Sequence, residues 1–421
     1  MSLAERDKKY LWHPLTQHKT HPVTLAIKKA SNCTLEDYNG KTYIDAIASW
    51  YTCMYGHCNP KIISAVQKQM ETLDQIIFSG FTHAPAIELS EALIEILPSN
   101  QRKLFFSDNG STTIEIGIKM ALQYHFNLGN KKDTLIAFDN GFHGDTFGAM
   151  SVSGLSVYNG PFEDFSLKVV RIPTPNKKNI DSILKELSNL TSIHNIAAFV
   201  YEPLVQGAAG MKMHCENGLN ALIKYCNSNQ IITIADEVMT GFGKTGKNFA
   251  SDYMENKPEI MCLSKALTAG LLPMGITSCS EKIYSAFYSD DLSKGFFHGH
   301  TYSANPLACI AALSGIELLT SKEIQDQIKF ISKSHLKFTE ALKIKAIVKE
   351  VRCKGVILAL DLNIEINRYG NLRDELYRKF LELGVYLRPL GNTIYILPPY
   401  TISNKELKKV YQAIENVIDQ Y

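Results

Sequence analysis

Short apolar runs that end abruptly in polar residues recur through the middle of the chain. Thr134 to Phe138, Ile196 to Tyr201, Ile231 to Ala235 and Ile260 to Leu263 are each too short for a helix, and charged or glycine-containing sequence follows each within a few residues. Such runs predict strands buried on both faces of a parallel sheet, with carboxyl ends that open onto a crevice. Segments with helical spacing lie between them, at Thr112 to Leu128 and about Gly218 to Asn229. This alternation over residues 100–280 predicts a mostly parallel α/β sheet. Upstream, Leu35 to Ile44 alternates around Asn39-Gly40, a hairpin signal. Asn59-Pro60 opens a helix on which Ile62, Ile63, Val66, Met70 and Leu73 recur, and a second amphipathic helix covers roughly Ala84 to Leu97. Residues 1–30 are polar with isolated aromatics and Pro14 and Pro22, which reads as a segment wrapping over another surface. Pro306 begins a small-residue helix to about Leu319. From about residue 320 the pattern changes to helices and alternating strands, including Val356 to Leu362 and Ile394 to Leu397, and predicts a separate α+β domain.

Composition narrows the function classes. The chain has 421 residues, 45% hydrophobic and 20% charged, with a formal charge of +2. That is ample for a large core and for two unequal domains, and it gives no electrostatic pull toward nucleic acid or a membrane surface. Nine cysteines occur without a CxxC pair, which argues against a disulfide framework or a structural zinc site. No signal-peptide core and no apolar run of membrane-spanning length is present, so a cytoplasmic enzyme without a metal is expected.

The strand ends carry the candidate chemistry. Ile231 to Ala235 runs into Asp236 and Glu237, and Ile260 to Leu263 into Ser264 and Lys265. Taken alone, such an Asp usually caps a turn and such a Lys usually extends its ammonium to solvent. Together on strand ends, they are the two groups pyridoxal phosphate requires. Leu104 to Ser111 predicts a strand and a small-residue turn before a helix, which aims backbone N–H groups and a helix dipole at an anion. The loop Asn140 to Gly148 adds two aromatics, a histidine and an aspartate, and Glu202-Pro203 ends another strand. Gly241 to Lys247 matches GxGxxG and nearly matches a phosphate-binding loop, so a nucleotide-binding protein is the competing class. Four residues separate Asp236 from Gly241, however, and no apolar helix face follows.

These segments, in this order, resemble the class III aminotransferases of the fold-type I pyridoxal-phosphate group. The resemblance rests on SDNGS at 107–111, EPLVQGAAGM at 202–211, IADEVMTGFGKTGK at 234–247, CLSKALTAG at 262–270 and NPLAC at 305–309. LWHPLT at 11–16, ASW at 48–50, THAPAIEL at 82–89, GFHGDTFGAMSV at 141–152 and LRPLGNTIYILPPY at 387–400 are similar to the branch that serves biotin biosynthesis. That branch aminates 8-amino-7-oxononanoate to 7,8-diaminononanoate with adenosylmethionine as donor. The resemblance implies an N-terminal segment (1–50) joined to the small domain, a large cofactor domain (51–319) and a C-terminal small domain (320–421). It implies Lys265 as the Schiff-base lysine, Asp236 on the pyridinium, Phe142 on the ring face, and Gly110 and Ser111 on the phosphate. Thr301 resembles a phosphate ligand supplied by a partner subunit, hence a homodimer with shared sites. Arg388 resembles the substrate carboxylate anchor, with Trp50 along the acyl chain, Asp145 at the substrate amine and Gly299 in the pocket. Glu202 orients the cofactor's surroundings.

Three departures bear on the donor. Phe142 and Leu15 stand where that branch usually has tyrosines, and Gly299-His300-Thr301 stands where the adenosylmethionine enzymes commonly have Gly-Pro-Thr, which resembles the lysine-using version. Ala208 follows Gln206-Gly207 where glutamate-coupled ω-aminotransferases carry a gating Glu. Lysine as donor therefore stands as an alternative, while Ala208 disfavours a glutamate-coupled ω-aminotransferase, which remains the next enzymatic reading.

Overall fold

The computed structural model describes residues 2–20, 24–154, 159–364 and 371–421, so Pro22 lies outside the described residues. A seven-stranded sheet occupies its centre: β1 (Gln101–Ser107), β2 (Thr134–Phe138), β3 (Val169–Ile172), β4 (Ile196–Tyr201), β5 (Ile232–Asp236), β6 (Ile260–Leu263) and β7 (Gly275–Ser280). The spatial order is β1-β7-β6-β5-β4-β2-β3, with β7 alone antiparallel to its neighbours. Every residue of β2, β4, β5 and β6 is buried, which is why their sequences are near-continuous apolar runs. Strand β7 escaped the pattern because it buries hydroxyls. Thr277 Oγ1 donates to the Thr113 carbonyl (3.0 Å) and Ser278 Oγ to Gln101 Oε1 (2.6 Å), so neither is left unpaired.

The helix Gly110–Asn127 lies across β5 and β6, with Ile114 and Ala121 wholly buried. Gly117 is the point of closest approach: a Cβ there would fall 3.2 Å from Ile234 Cγ2 and 3.3 Å from Cys262 Sγ. The helix begins two residues before the apolar spacing indicates, because Asn109 caps it and its first turn is polar. The Thr112 N–H donates to Asn109 Oδ1 at 2.9 Å.

Two further sheets flank this layer. Thr34–Asp37 and Thr42–Asp45 form the expected hairpin about Asn39-Gly40, extended by Ile27–Ser31 and, on the other edge, by Val385–Tyr386 in parallel. Val348–Lys354, Ile357–Leu362 and Thr393–Ile396 make a three-stranded antiparallel sheet, accompanied by helices Lys322–Lys343, Leu372–Glu382 and Asn404–Ile418. The helix Pro306–Thr320 packs on Pro60–Met70 and Ala84–Ile96. In the N-terminal segment, Leu3–Tyr10 is helical with a Ser2/Glu5 capping box and no buried residue. Its start signal was in the sequence, but the absence of an apolar face hid the helix.

Candidate active site

Register brings the chemistry together. Ala235 pairs with Tyr201 and Asp236 with Cys262, so Glu202, Asp236 and Lys265 leave three adjacent strands at the same end of the sheet. Asp236 is only 5% exposed. Its Oδ1 accepts from the Val238 N–H (3.0 Å) and its Oδ2 from His143 Nδ1–H (2.7 Å). Burial alone would lower the His143 pKa, but the hydrogen bond and charge of Asp236, with Glu202, raise it. His143 Nε2 is buried without a partner among the described residues. Sequence reasoning placed His143 near the site but gave it no role, because a lone histidine in a loop carries no pairing signal.

Lys265 has φ 50°, the left-handed region, a strained conformation that surrounding structure must impose. Burial draws its ammonium below the ordinary lysine pKa, against the pull of Asp236 and Glu202. Its Nζ lies 5.7 Å from the centroid of the Tyr51 ring, and among the described residues no carboxylate pairs with it at ion-pair distance. Glu202 ties two loops to the sheet: Oε2 accepts from the Phe142 N–H (3.0 Å) and Oε1 from the Gly207 N–H (2.9 Å). Burial pushes its carboxyl up to about 7, with His143 opposing and Asp236 adding to the push.

The turn before Gly110–Asn127 is the strand-to-helix junction that the sequence predicts. Among the described residues, no acceptor meets the N–H of Gly110 or Ser111, so both donors and the helix dipole face outward. Space there is tightly defined. A Cβ on Gly110 would come within 2.9 Å of Val238 Cγ1, and one on Gly144 (φ +132°) within 2.1 Å of Ser111 Oγ. Phe142 is 41% exposed on the same loop as Gly144, and Asp145 is exposed beside it. Glu115 pins that loop, accepting from Thr146 Oγ1 and the Gly148 N–H at 2.5 and 2.7 Å; no local pattern signals this contact. An unpaired amine, a buried carboxylate, free N–H donors and an accessible aromatic face fit a phosphorylated pyridine aldehyde such as pyridoxal phosphate.

A second group lies in the turn next to Tyr51, whose ring neighbours Lys265. Arg388 Cζ sits 4.9 Å from the centroid of the Trp50 ring, and among the described residues no carboxylate pairs with Arg388. Trp50 belongs to Ala48–Tyr51, where all four residues have positive φ. L-residues pay about 1–2 kcal/mol each for such a left-handed turn. Gly299 and Thr301 are exposed on a loop held by His300 Nε2 against Asp108 Oδ2 (3.0 Å) and by Gln75 Nε2 donating to the Thr301 carbonyl (2.9 Å). The Thr301 loop thus lies by the strand that leads to Gly110, Phe142 is tied to Glu202 beside Asp236, and Trp50 to Arg388.

The Gly241–Lys247 loop is built for packing. No helix starts inside it, and Lys244 is wholly buried with Nζ donating to the Gly241 carbonyl (2.9 Å). Lys247 donates to the Asp252 carbonyl (3.2 Å), and a Cβ on Gly243 would strike Ile328 and the Tyr400 hydroxyl, each at 2.8 Å. These glycines admit neighbouring chain, which argues against the nucleotide-binding alternative.

Comparison with known proteins agrees with this geometry. The sequence model of the family described as aminotransferase class-III matches residues 15–418. The adenosylmethionine-8-amino-7-oxononanoate aminotransferase of Synechococcus elongatus is 39% identical over 98% of this chain and 99% of its own. The crystal structure of the enzyme of that name from Methanocaldococcus jannaschii superposes with a TM-score of 0.94 at 32% identity, over 99% of this chain and 98% of its own. An amine transaminase from an uncultivated Pseudomonas species, solved in its PLP-bound form, gives a TM-score of 0.92 at 27% identity over 98% of each chain.

Proposed function

The chain belongs to the class-III aminotransferases, and from that premise we propose that it aminates 8-amino-7-oxononanoate to 7,8-diaminononanoate in biotin biosynthesis, with adenosylmethionine as amino donor. Class-III aminotransferases work with pyridoxal phosphate, and the fold is that of the fold-type I transferases. The observation that carries the reading is the unpaired Lys265 amine facing the Asp236–His143 pair on adjacent strand ends. The substrate assignment is supported by full-length similarity to enzymes of that name.

When bound, the cofactor supplies an electron-withdrawing ring and a temporary place for the amino group. The rest is work for the chain. The Asp236 carboxylate would hold a proton on the ring nitrogen, and His143 orients that carboxylate through its 2.7 Å hydrogen bond. Lys265 Nζ holds the cofactor between turnovers, and its lowered pKa suits it to move the proton at the substrate's α-carbon. The Gly110 and Ser111 N–H groups bind the phosphate, and Phe142 covers the ring face. The Arg388 fork binds the substrate carboxylate, Trp50 lines the acyl chain, Asp145 meets the amine at carbon 8, and Gly299 leaves room beside them. Thr301 would supply its hydroxyl to the cofactor phosphate held by a neighbouring subunit, which would make the working form a homodimer; we place it in the cytoplasm. Among the described residues no helix is long and apolar enough to cross a membrane.

A second donor has a specific observation behind it. Phe142 and Leu15 lack the hydroxyls usual in that branch, and His300 occupies the loop position of a proline, paired with Asp108. Incubating purified protein with 8-amino-7-oxononanoate and either adenosylmethionine or lysine, and detecting 7,8-diaminononanoate by mass spectrometry, tests both. Product with adenosylmethionine supports the proposal, product with lysine alone replaces the donor, and no product with either donor overturns the substrate assignment. Lys265→Ala should fold and give no product.

A further inference from the structure

The backbone from Ala48 to Tyr51 holds no glycine, yet its φ values are 48°, 49°, 72° and 72°. L-residues visit that region singly, not in runs. Such a turn persists only where its surroundings over-determine it. Those surroundings are Asp45 and His57. Asp45 is wholly buried. Its Oδ1 accepts from the Ile47 N–H (3.0 Å), and its Oδ2 from the Ser49 N–H (2.7 Å) and from His57 Nε2–H (2.8 Å). One carboxylate therefore holds the entry to the turn and binds a ring from beyond its exit. The His57 backbone is itself fixed to Asn32 by hydrogen bonds in both directions, 2.9 and 2.8 Å.

The same carboxylate is in register with the other half of the pocket. Asp45 pairs with Tyr386 across the parallel strands, and Arg388 follows two residues on. The turn and Arg388 thus depart from one paired element and meet again where the guanidinium lies over Trp50, 4.9 Å from the ring centroid. The next residue, Tyr51, is buried and packs on Tyr395, with ring centroids 5.8 Å apart. Its other neighbour is the Lys265 ammonium.

We infer that the Asp45–His57 pair is a positioning device for substrate recognition: it holds the left-handed turn that sets Trp50 against Arg388 and Tyr51 beside Lys265. Neither residue touches the reacting atoms, and the inference rests on Trp50 and Arg388 binding substrate as proposed above.

The test uses cofactor-loaded protein carrying Trp12→Phe, which leaves Trp50 as the sole tryptophan; the chain has two. In that background His57→Leu removes the ring donor, and His57→Gln keeps an N–H for Asp45. His57→Leu should raise KM for the keto acid about tenfold or more while kcat stays within about threefold, the signature of lost uniform binding. Trp50 emission should shift, and His57→Gln should restore both quantities most of the way. Ile414→Ala, a core truncation in the C-terminal helix, should lower Tm without moving KM. Unchanged KM and emission in His57→Leu, or an equal rise of KM in Ile414→Ala, would overturn the inference. If the wild-type protein fails to aminate the keto acid at all, the functional reading falls by itself. The emission of Trp50 in His57→Leu still decides whether the pair sets the turn.

Discussion

Lys265 is held in place by burial and by a strained backbone, and Asp236 by a buried histidine. This division explains which residues could be read from the chain. A lysine and an aspartate directly after apolar runs stand out, because strand ends are where open α/β sheets bind ligands. His143 does not stand out: its meaning lies in a 2.7 Å contact with a residue 93 positions away. Asparagine fills the space of aspartate and can still accept from His143, but it carries no charge to hold a ring proton. Asp236→Asn should therefore keep the fold but lower kcat about 100-fold or more, the scale of losing one preorganised electrostatic group; steady-state kinetics measures this. Glu202 gives a pH signature. Its carboxyl is raised from 4.5 to about 7, so the folded state holds a proton that the unfolded state has lost between those values. That contribution to stability is complete below pH 4.5 and disappears as pH rises through 7, with a slope of up to about 1.4 kcal/mol per pH unit. Urea denaturation of cofactor-free protein should show this slope flattened in Glu202→Gln.

Among the elements, the buried strands and long helices were legible, and the unusual turns were not. Strands β2, β4 and β6 coincide with their apolar runs, because both faces are covered and no alternation is needed. Hydrophobic spacing carries no information about handedness, so nothing in the sequence marked Ala48–Tyr51 as left-handed. The start of Gly110–Asn127 was hidden for a related reason, its first turn being polar. Asn109→Ala should cost about 1 kcal/mol of stability, as lost caps do, and should also weaken cofactor binding, measured by equilibrium titration. The Asp45–His57 pair has its own pH window. Burial lowers the His57 pKa, but hydrogen bonds and charge from Asp45 and Cys53 together more than offset this and raise it from 6.5 to about 10. Its stabilisation is thus full below pH 6.5 and is lost as pH rises through 10. The Tm difference between wild type and His57→Leu should narrow over that range.

Across the whole molecule, the central sheet and the C-terminal sheet are joined at loops that the sequence marked for other reasons. Arg352 pairs both nitrogens with Asp361, at 2.7 Å each, and donates to the Gly210 carbonyl at 2.7 Å, which fastens the Val205–Gly210 loop. Gly355 (φ +59°) lies so close to the Gly241–Lys247 loop that a Cβ would sit 2.2 Å from the Thr245 carbonyl carbon and 2.4 Å from the Gly246 nitrogen. Both neighbours are backbone and cannot swing away. Gly355→Ala should destabilise by about 3 kcal/mol or more, at or beyond the usual range for overpacking, as read by chemical denaturation. The glycines that imitate a nucleotide motif are thus explained by tertiary packing, which no local pattern displays. If Thr301 serves a neighbouring site, sedimentation should find a dimer, and mixed dimers of Lys265→Ala and Thr301→Ala chains should differ in activity from either parent.

If Lys265 and Asp236 hold pyridoxal phosphate so that a donor's amino group is stored and passed to a keto acid, the colour of the protein must follow its donor. The absorption spectrum of cofactor-loaded protein, mixed separately with adenosylmethionine, lysine and glutamate in the absence of keto acid, tests it most directly. A visible band should disappear with adenosylmethionine and return when 8-amino-7-oxononanoate is added. A protein that shows no such band with pyridoxal phosphate, or whose band responds to none of the three donors, would contradict it.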